Sequence, residues 1–209
     1  MDELNLLDLF KELQLVIPEI AHAELFLDSK WGSKNPHYRL ELRQTIQTWI
    51  HQKQIAQNLL DYDQKIKNLL DLNLVPQLSP LGSVSVSHTL KLGGFLGLCN
   101  LQLTTKHPAL GFDIEELDRI KEDTVKRVCS AQELIDAPEF KYLWGAKEAL
   151  FKASNNETPS SNSIKLLSEI QLSNWTKISK NWAQADFNKN QKKVWVAHNQ
   201  NYLISIASF

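Results

Sequence analysis

The chain has 209 residues, 43% hydrophobic and 22% charged, with a formal net charge of -1. That is enough apolar material for one compact core or two closely packed lobes, and it excludes the strongly basic footprint of a nucleic-acid binder. No apolar run approaches the ~20 residues that span a bilayer, and the acidic Met1-Asp-Glu-Leu start is unlike a secretory signal, so no membrane partner and a cytoplasmic setting are expected.

In chain order, Leu4, Leu7, Phe10 and Leu13 recur at helical spacing and predict a first helix that stops near Pro18. Ala23 to Leu27 reads as a strand. After the breaker-rich Trp31-Gly-Ser-Lys-Asn-Pro36, one face of a long helix is marked by Tyr38, Leu42, Ile46, Trp49 and Ile50. A further helix is expected from Gln64 to Leu72, with a loop imposed by Pro76 and Pro80. Ser83 to Ser87 alternates like a strand, Lys91 to Gly94 can turn, and Phe95 to Leu101 returns as a second strand. Leu110 to Glu115 is the next strand, and Asp118 to Val128 reads as helical. Ser130 with Glu133 fits a capping box. Asp136 and Pro138 resemble the start of a helix running to about Ala153. Ser154 to Ser163 reads as a polar loop.

Ile164 to Leu172, Lys193 to His198 and Tyr202 to Phe209 read as strands, with turns at Asn188 to Gln191 and Asn199 to Asn201. Trp175, Trp182 and Trp195 are expected in the core. A weak internal echo sets Val84 to His88 and Gly94 to Leu98 against Val194 to His198 and Tyr202 to Ile206. The fold class is α+β. Cys99 and Cys129 lack paired metal-ligand spacing and read as small buried hydrophobes in a reducing compartment.

The chemistry concentrates in Gly111-Phe-Asp-Ile-Glu115 and Trp144-Gly-Ala-Lys-Glu-Ala-Leu-Phe-Lys-Ala153. On a strand, Asp113 and Glu115 share one face while Phe112 and Ile114 point into a core. On a helix, Trp144, Glu148 and Lys152 form one stripe, and Leu143, Ala146 and Leu150 an apolar one. Three carboxylates can hold a hard cation whose open positions suit phosphate oxygens, and a neighbouring Lys can neutralise the same phosphates. Taken singly, Asp-x-Glu is more often a solvated strand face, and Glu148 with Lys152 a surface ion pair.

In combination, and with Val86-Ser87-His88-Thr89 upstream, these segments resemble the 4'-phosphopantetheinyl transferases; the likeness runs from Ser87 to Ala153. It implies two similar, pseudo-twofold α+β lobes of antiparallel sheets and helices, packed side by side in a monomer with the active site between them. The boundary is expected near Thr105 to Pro108, giving lobes 1-106 and 107-209. The resemblance further implies transfer of the phosphopantetheine arm of coenzyme A to a serine of an apo acyl or peptidyl carrier protein, with Mg²⁺, releasing adenosine 3',5'-bisphosphate. Asp113, Glu115 and Glu148 would be metal ligands. Glu148 would accept the serine proton, and Lys152 would offset charge on the leaving phosphate. Ser87 and His88 would contact coenzyme A, although a lone His at a strand end is more often a structural residue.

The family's Gly-Lys-Pro segment before the Ser-His strand is replaced here by Leu78-Ser-Pro-Leu-Gly-Ser83. Lys30, Lys34, Arg39 and Arg43 could supply charge for a phosphate, Arg with the better bidentate grip, or could equally be a solvated face. Lys121, Lys126 and Arg127 are candidates for docking an acidic carrier protein, or ordinary surface charge. A catalytically silent relative that binds coenzyme A or carrier protein is the alternative. A metal-dependent nuclease of the Asp plus Glu-x-Lys kind does not fit the three-residue gap between Glu148 and Lys152.

Overall fold

The computed structural model describes residues 2–53, 68–72, 82–99, 108–156, 164, 166–187 and 192–209. Two antiparallel sheets organise them. The first holds β1 (Glu24–Asp28), β2 (Gly82–His88) and β3 (Gly93–Cys99) in the order β1-β3-β2. The second holds β4 (Leu110–Glu116), β5 (Leu172–Lys177), β6 (Ala183–Phe187), β7 (Lys192–His198) and β8 (Tyr202–Ser208) in the order β4-β8-β7-β6-β5. The helices are α1 (Asp2–Val16), α2 (Tyr38–Gln52), α3 (Glu122–Lys126), α4 (Ala131–Asp136) and α5 (Phe140–Asn156).

The echo in the sequence becomes a repeated connection: strand, helix, hairpin. β1, α2 and the β2-β3 hairpin are matched by β4, α5 and the β7-β8 hairpin, and in both sheets the second hairpin strand pairs with the leading strand. The two hairpin turns are closed by the same device. Thr89 Oγ1 accepts the backbone N–H groups of Lys91 and Leu92 at 3.2 and 3.0 Å. Asn199 Oδ1 accepts those of Asn201 and Tyr202, both at 2.8 Å. Short side-chain acceptors at the first turn position mimic a backbone turn and fix the hairpin register.

Several expectations shift. The 118–128 segment is a turn followed by the five-residue α3. Asp136 ends α4, and α5 begins at Phe140, so the motif helix is not capped by Asp136; it extends to Asn156, into the expected polar loop. The capping box is present, with Ser130 and Glu133 exchanging both bonds. Ile164 to Leu172 is not a strand: 167–169 form a 3-10 turn and β5 starts only at Leu172. β6 is absent from the sequence reading because its apolar alternation covers just five residues. The expected helix 64–72 is helical over 68–70, and its earlier part, the loop at Pro76 and Pro80, the strand end beyond Cys99, the expected lobe boundary as far as His107, and 188–191 lie outside the described residues.

Strand alternation assigns the layers. Phe95 faces α2, whose Leu42, Ile46, Trp49 and Ile50 pack there, whereas Leu96 and Leu98 face α1. On β4, Phe112 and Ile114 join the α1 side, while α5 lays Leu143, Ala146, Ala149, Leu150 and Ala153 on the opposite face of the second sheet. Trp182 and Trp195 are buried in the α1 core, as expected, and Trp175 is half-buried. Thus α1 spans both sheets, and Trp182 Nε1 donates to Leu9 O at 2.8 Å. The two motif glycines answer to helix-on-sheet distance. A Cβ at Gly111 would lie 1.8 Å from Ala149 O, and one at Gly145 would lie 2.2 Å from Leu203 Cδ2.

The edges β2 and β4 meet side by side and are joined by serine hydroxyls. Ser83 Oγ donates to Pro108 O at 2.6 Å, Ser85 Oγ accepts from Phe112 N–H at 2.9 Å, and Ser87 Oγ accepts from Ile114 N–H at 3.2 Å. Asn156 Nδ2 bridges the same join, donating to Val84 O and Leu110 O. Side chains here satisfy edge groups that would otherwise lie buried and unpaired.

Lys147, inside the motif helix, is fully buried. Its Nζ meets Glu133 Oε1 at 2.7 Å and donates to Val128 O and Ile170 O, while Glu133 also accepts from Ser130 N–H and Leu172 N–H. Burial alone would raise the Glu133 pKa, but Lys147 and the two N–H donors win and hold it below the usual carboxylate value. A depressed folded-state pKa stabilises above the unfolded value and is lost as pH falls through the folded one. Lys147→Met should therefore cost about 3 kcal/mol in denaturant unfolding by stranding a buried charge. The parent should lose the Glu133 contribution as pH falls from about 5 through the lowered folded value, and the variant should lose less over that span. Cys99 and Cys129 are half-buried, and burial pushes their thiols up to about 12 and about 11. Native protein should react with iodoacetamide near neutral pH far more slowly than unfolded protein, measured as mass gain against time.

Candidate functional site

Because α2 covers one sheet and α5 the other on the same side, the β2-β4 join is left as the floor of a cleft. Its volume is about 520 Å³. The first turns of α2 supply Tyr38, Arg39, Leu42 and Arg43; β2 supplies Val84 to His88; β4 supplies Asp113 and Glu115; α5 supplies Glu148, Phe151, Lys152, Asn155 and Asn156. The structure thus brings Ser87, His88, Arg39, Arg43, Asp113, Glu115, Glu148 and Lys152 to one cavity. Lys30 and Lys34 are not on its wall. Lys30 instead pairs with Asp28 at 2.8 Å.

Asp113 is 3% exposed and central. Its Oδ1 accepts from Ser87 Oγ–H at 2.9 Å and from Lys152 Nζ at 2.7 Å. Its Oδ2 is buried with no hydrogen-bond partner among the described residues. Lys152 Nζ spends its other donors on Ser87 Oγ at 2.9 Å and Phe112 O at 3.2 Å. Ser87, expected from the sequence to be a ligand contact, is 4% exposed and has its hydroxyl bonded to Asp113, Lys152 and Ile114 N–H.

The α5 stripe meets β4 twice. Lys152 reaches Asp113, and Trp144 Nε1 donates to Glu115 Oε1 at 3.1 Å. Burial, then the Asp113 charge and more weakly Glu148, push Glu115 up to about 7 against the pull of Trp144 and Lys152. Burial and Asp113 likewise push Glu148 up to about 7, with Lys152 opposing. Both effects disfavour accumulated negative charge in a confined space. Among the described residues, no three acidic, His or Cys side chains are drawn into a ready-made metal cluster. Even so, the donor set fits a hard cation: an orphaned buried carboxylate oxygen and two carboxyls whose charged forms are disfavoured, all oxygen ligands.

Arg43 is 7% exposed, and its Nη1 donates to Leu69 O at 3.0 Å, tying the 68–70 turn to α2. His88 is flanked by Tyr38, whose hydroxyl lies 2.8 Å from Nε2, and burial followed by the charges of Lys152 and Arg39 lowers its pKa. A second recess of about 340 Å³ shares His88 and Glu115 with the cleft and adds Trp144, Arg119 and Lys121. Lys126 pairs with Glu122 at 2.8 Å, one turn away on α3. Sequence reasoning misses Tyr38 and Asn156 as site residues. Tyr38 is counted in the apolar helix face, and the only available signal is its place beside Arg39; Asn156 carries none, since it reads as loop.

No helix among the described residues is long and apolar enough to cross a membrane. Residues 109–207 match the family model described as 4'-phosphopantetheinyl transferase superfamily. A comparison with curated proteins finds no match to the chain. The matched span contains β4, α5 and β5 to β8, and with them Asp113, Glu115, Glu148 and Lys152; β2 and α2, which supply the other wall of the cleft, precede it. Over this span the chain is similar to the 4'-phosphopantetheinyl transferase superfamily.

Proposed function

We propose that the protein transfers the 4'-phosphopantetheine arm of coenzyme A to a serine of an apo acyl or peptidyl carrier protein, with Mg²⁺, releasing adenosine 3',5'-bisphosphate. The observation that carries this reading is the convergence of Asp113, Glu115, Glu148 and Lys152 on one cleft whose opposite wall carries Arg39, Arg43 and His88. Acidic groups on one side and cationic groups on the other suit a diphosphate and its counter-ion. We take the two sheets with their helices as the two lobes, with the boundary at 106/107.

Asp113, Glu115 and Glu148 would hold Mg²⁺, which when bound supplies charge neutralisation for the diphosphate oxygens. Arg39 and Arg43 would grip phosphate, and His88 would donate to it. Lys152 would turn from Asp113 Oδ1 toward the α-phosphate as charge builds on that leaving group. The carrier serine oxygen bonds to the β-phosphorus, the bond from that phosphorus to the α-phosphate oxygen breaks, and Glu148 takes the serine proton. A carboxylate at this place can accept a proton transiently as the serine oxygen attacks. Lys121, Lys126 and Arg127, on and beside α3, would meet an acidic carrier protein.

Mixing the protein with apo carrier proteins, coenzyme A and Mg²⁺ should add one phosphopantetheine arm by intact mass. Coenzyme A binding without any mass gain on a panel of carriers would instead favour the silent relative. Glu148→Gln keeps shape but removes basicity and charge, and should lower kcat by ~10²-fold or more. Full activity in that variant would show that Glu148 is not the base.

A further inference from the structure

Tyr38 takes no part in the proposed transfer chemistry, yet its side chain contacts that of His88 directly. It opens α2, and its ring centroid lies 4.5 Å from that of His88. Its hydroxyl lies 2.8 Å from His88 Nε2 and also accepts from Arg39 Nε–H at 3.0 Å. A tyrosine hydroxyl has one proton to give and two lone pairs to receive with. Arg39 fills one lone pair.

Two arrangements remain for the contact with His88. If Nε2 carried hydrogen, the tyrosine oxygen would accept twice, and its own proton, at this exposed contact, would be left to solvent. If Nε2 is bare, the hydroxyl proton is donated to it, and Arg39, Tyr38 and His88 form one directed chain in which each donor meets a protein acceptor. The adjacent guanidinium also polarises the O–H toward donation, strengthening that second arrangement. From this geometry we infer that Tyr38 is a positioning residue: it holds Nε2 of His88 as an acceptor, so that the neutral imidazole carries its hydrogen on Nδ1 and presents a fixed N–H donor to an anionic ligand.

The role rests on the coenzyme A reading only in naming the anion as a phosphate oxygen. A fixed neutral donor discriminates by geometry, whereas a cation attracts any anion that approaches. Without Tyr38 the ring is free to rotate about its bonds and to exchange tautomers, so part of the binding energy is spent on ordering it.

The direct test is long-range ¹H–¹⁵N correlation of the imidazole rings at about pH 8, above the ordinary histidine range, with His88 identified by the signal lost in His88→Gln. The expected result is an Nδ1–H pattern for His88 in the parent, shifting toward Nε2–H in Tyr38→Phe. An Nε2–H pattern in the parent, or an unchanged pattern in Tyr38→Phe, would overturn the assignment. In the transfer assay, Tyr38→Phe should raise KM for coenzyme A about 5-fold with kcat within about twofold; an unchanged KM would overturn the ligand-facing half. The spectrum requires no coenzyme A. Absence of transfer by the parent, with the Nδ1–H pattern intact, would sink the transferase reading while upholding Tyr38 as the residue that sets the ring.

Discussion

The contact of Asp113 with Ser87 and Lys152 is the point on which the rest of the molecule turns. Ser87 belongs to the first sheet, Asp113 to the second and Lys152 to the helix that covers the second. A buried carboxylate would be costly without partners. One oxygen is satisfied by a hydroxyl and an ammonium, and the other has no partner among the described residues. The same three side chains therefore join two sheets and leave one buried carboxylate oxygen without a partner among the described residues, which is where we propose that a cation binds.

A cleft arises here because each half of the fold repeats strand, helix and hairpin. The repeat places α2 and α5 on the same side of adjoining sheets, with the edges β2 and β4 between them. Serine hydroxyls link those edges, while Gly111 and Gly145 let α5 approach its sheet closely enough for Trp144 and Lys152 to reach Glu115 and Asp113. Lys147, five residues before Lys152, is turned the other way into the core and fastens α5 to α4 and the chain around Ile170. The motif therefore encodes two tasks on two faces of one helix. One lysine fixes the helix, and the other serves the cleft.

Much of this is legible in the sequence because two periodicities suffice. The period of two along 110–116 puts Asp113 and Glu115 opposite Phe112 and Ile114, and the four-residue spacing along α5 puts Trp144, Glu148 and Lys152 together. The rest depends on contacts between distant segments. No local pattern says that Ser87 meets Asp113 or that Tyr38 meets His88, since each partner is far away in the chain. The start of α5 misleads because Asp136 and Pro138 imitate a helix start, while the cap-like chemistry there belongs to the end of α4 and the link that follows it. β6 is hidden because alternation over five residues is too short to stand out beside the polar face it shares.

The central claim is that Asp113, with one oxygen tied to Lys152 and Ser87 and the other unpartnered among the described residues, anchors a divalent cation beside Glu115 and Glu148. Titration with Mn²⁺, followed by the loss of its free-ion electron paramagnetic resonance signal, tests this without any substrate. One ion bound per chain in the parent and none in Asp113→Asn is the predicted result, provided the variant keeps its fold by circular dichroism. Equal binding by the folded variant, or no binding by the parent, would contradict it.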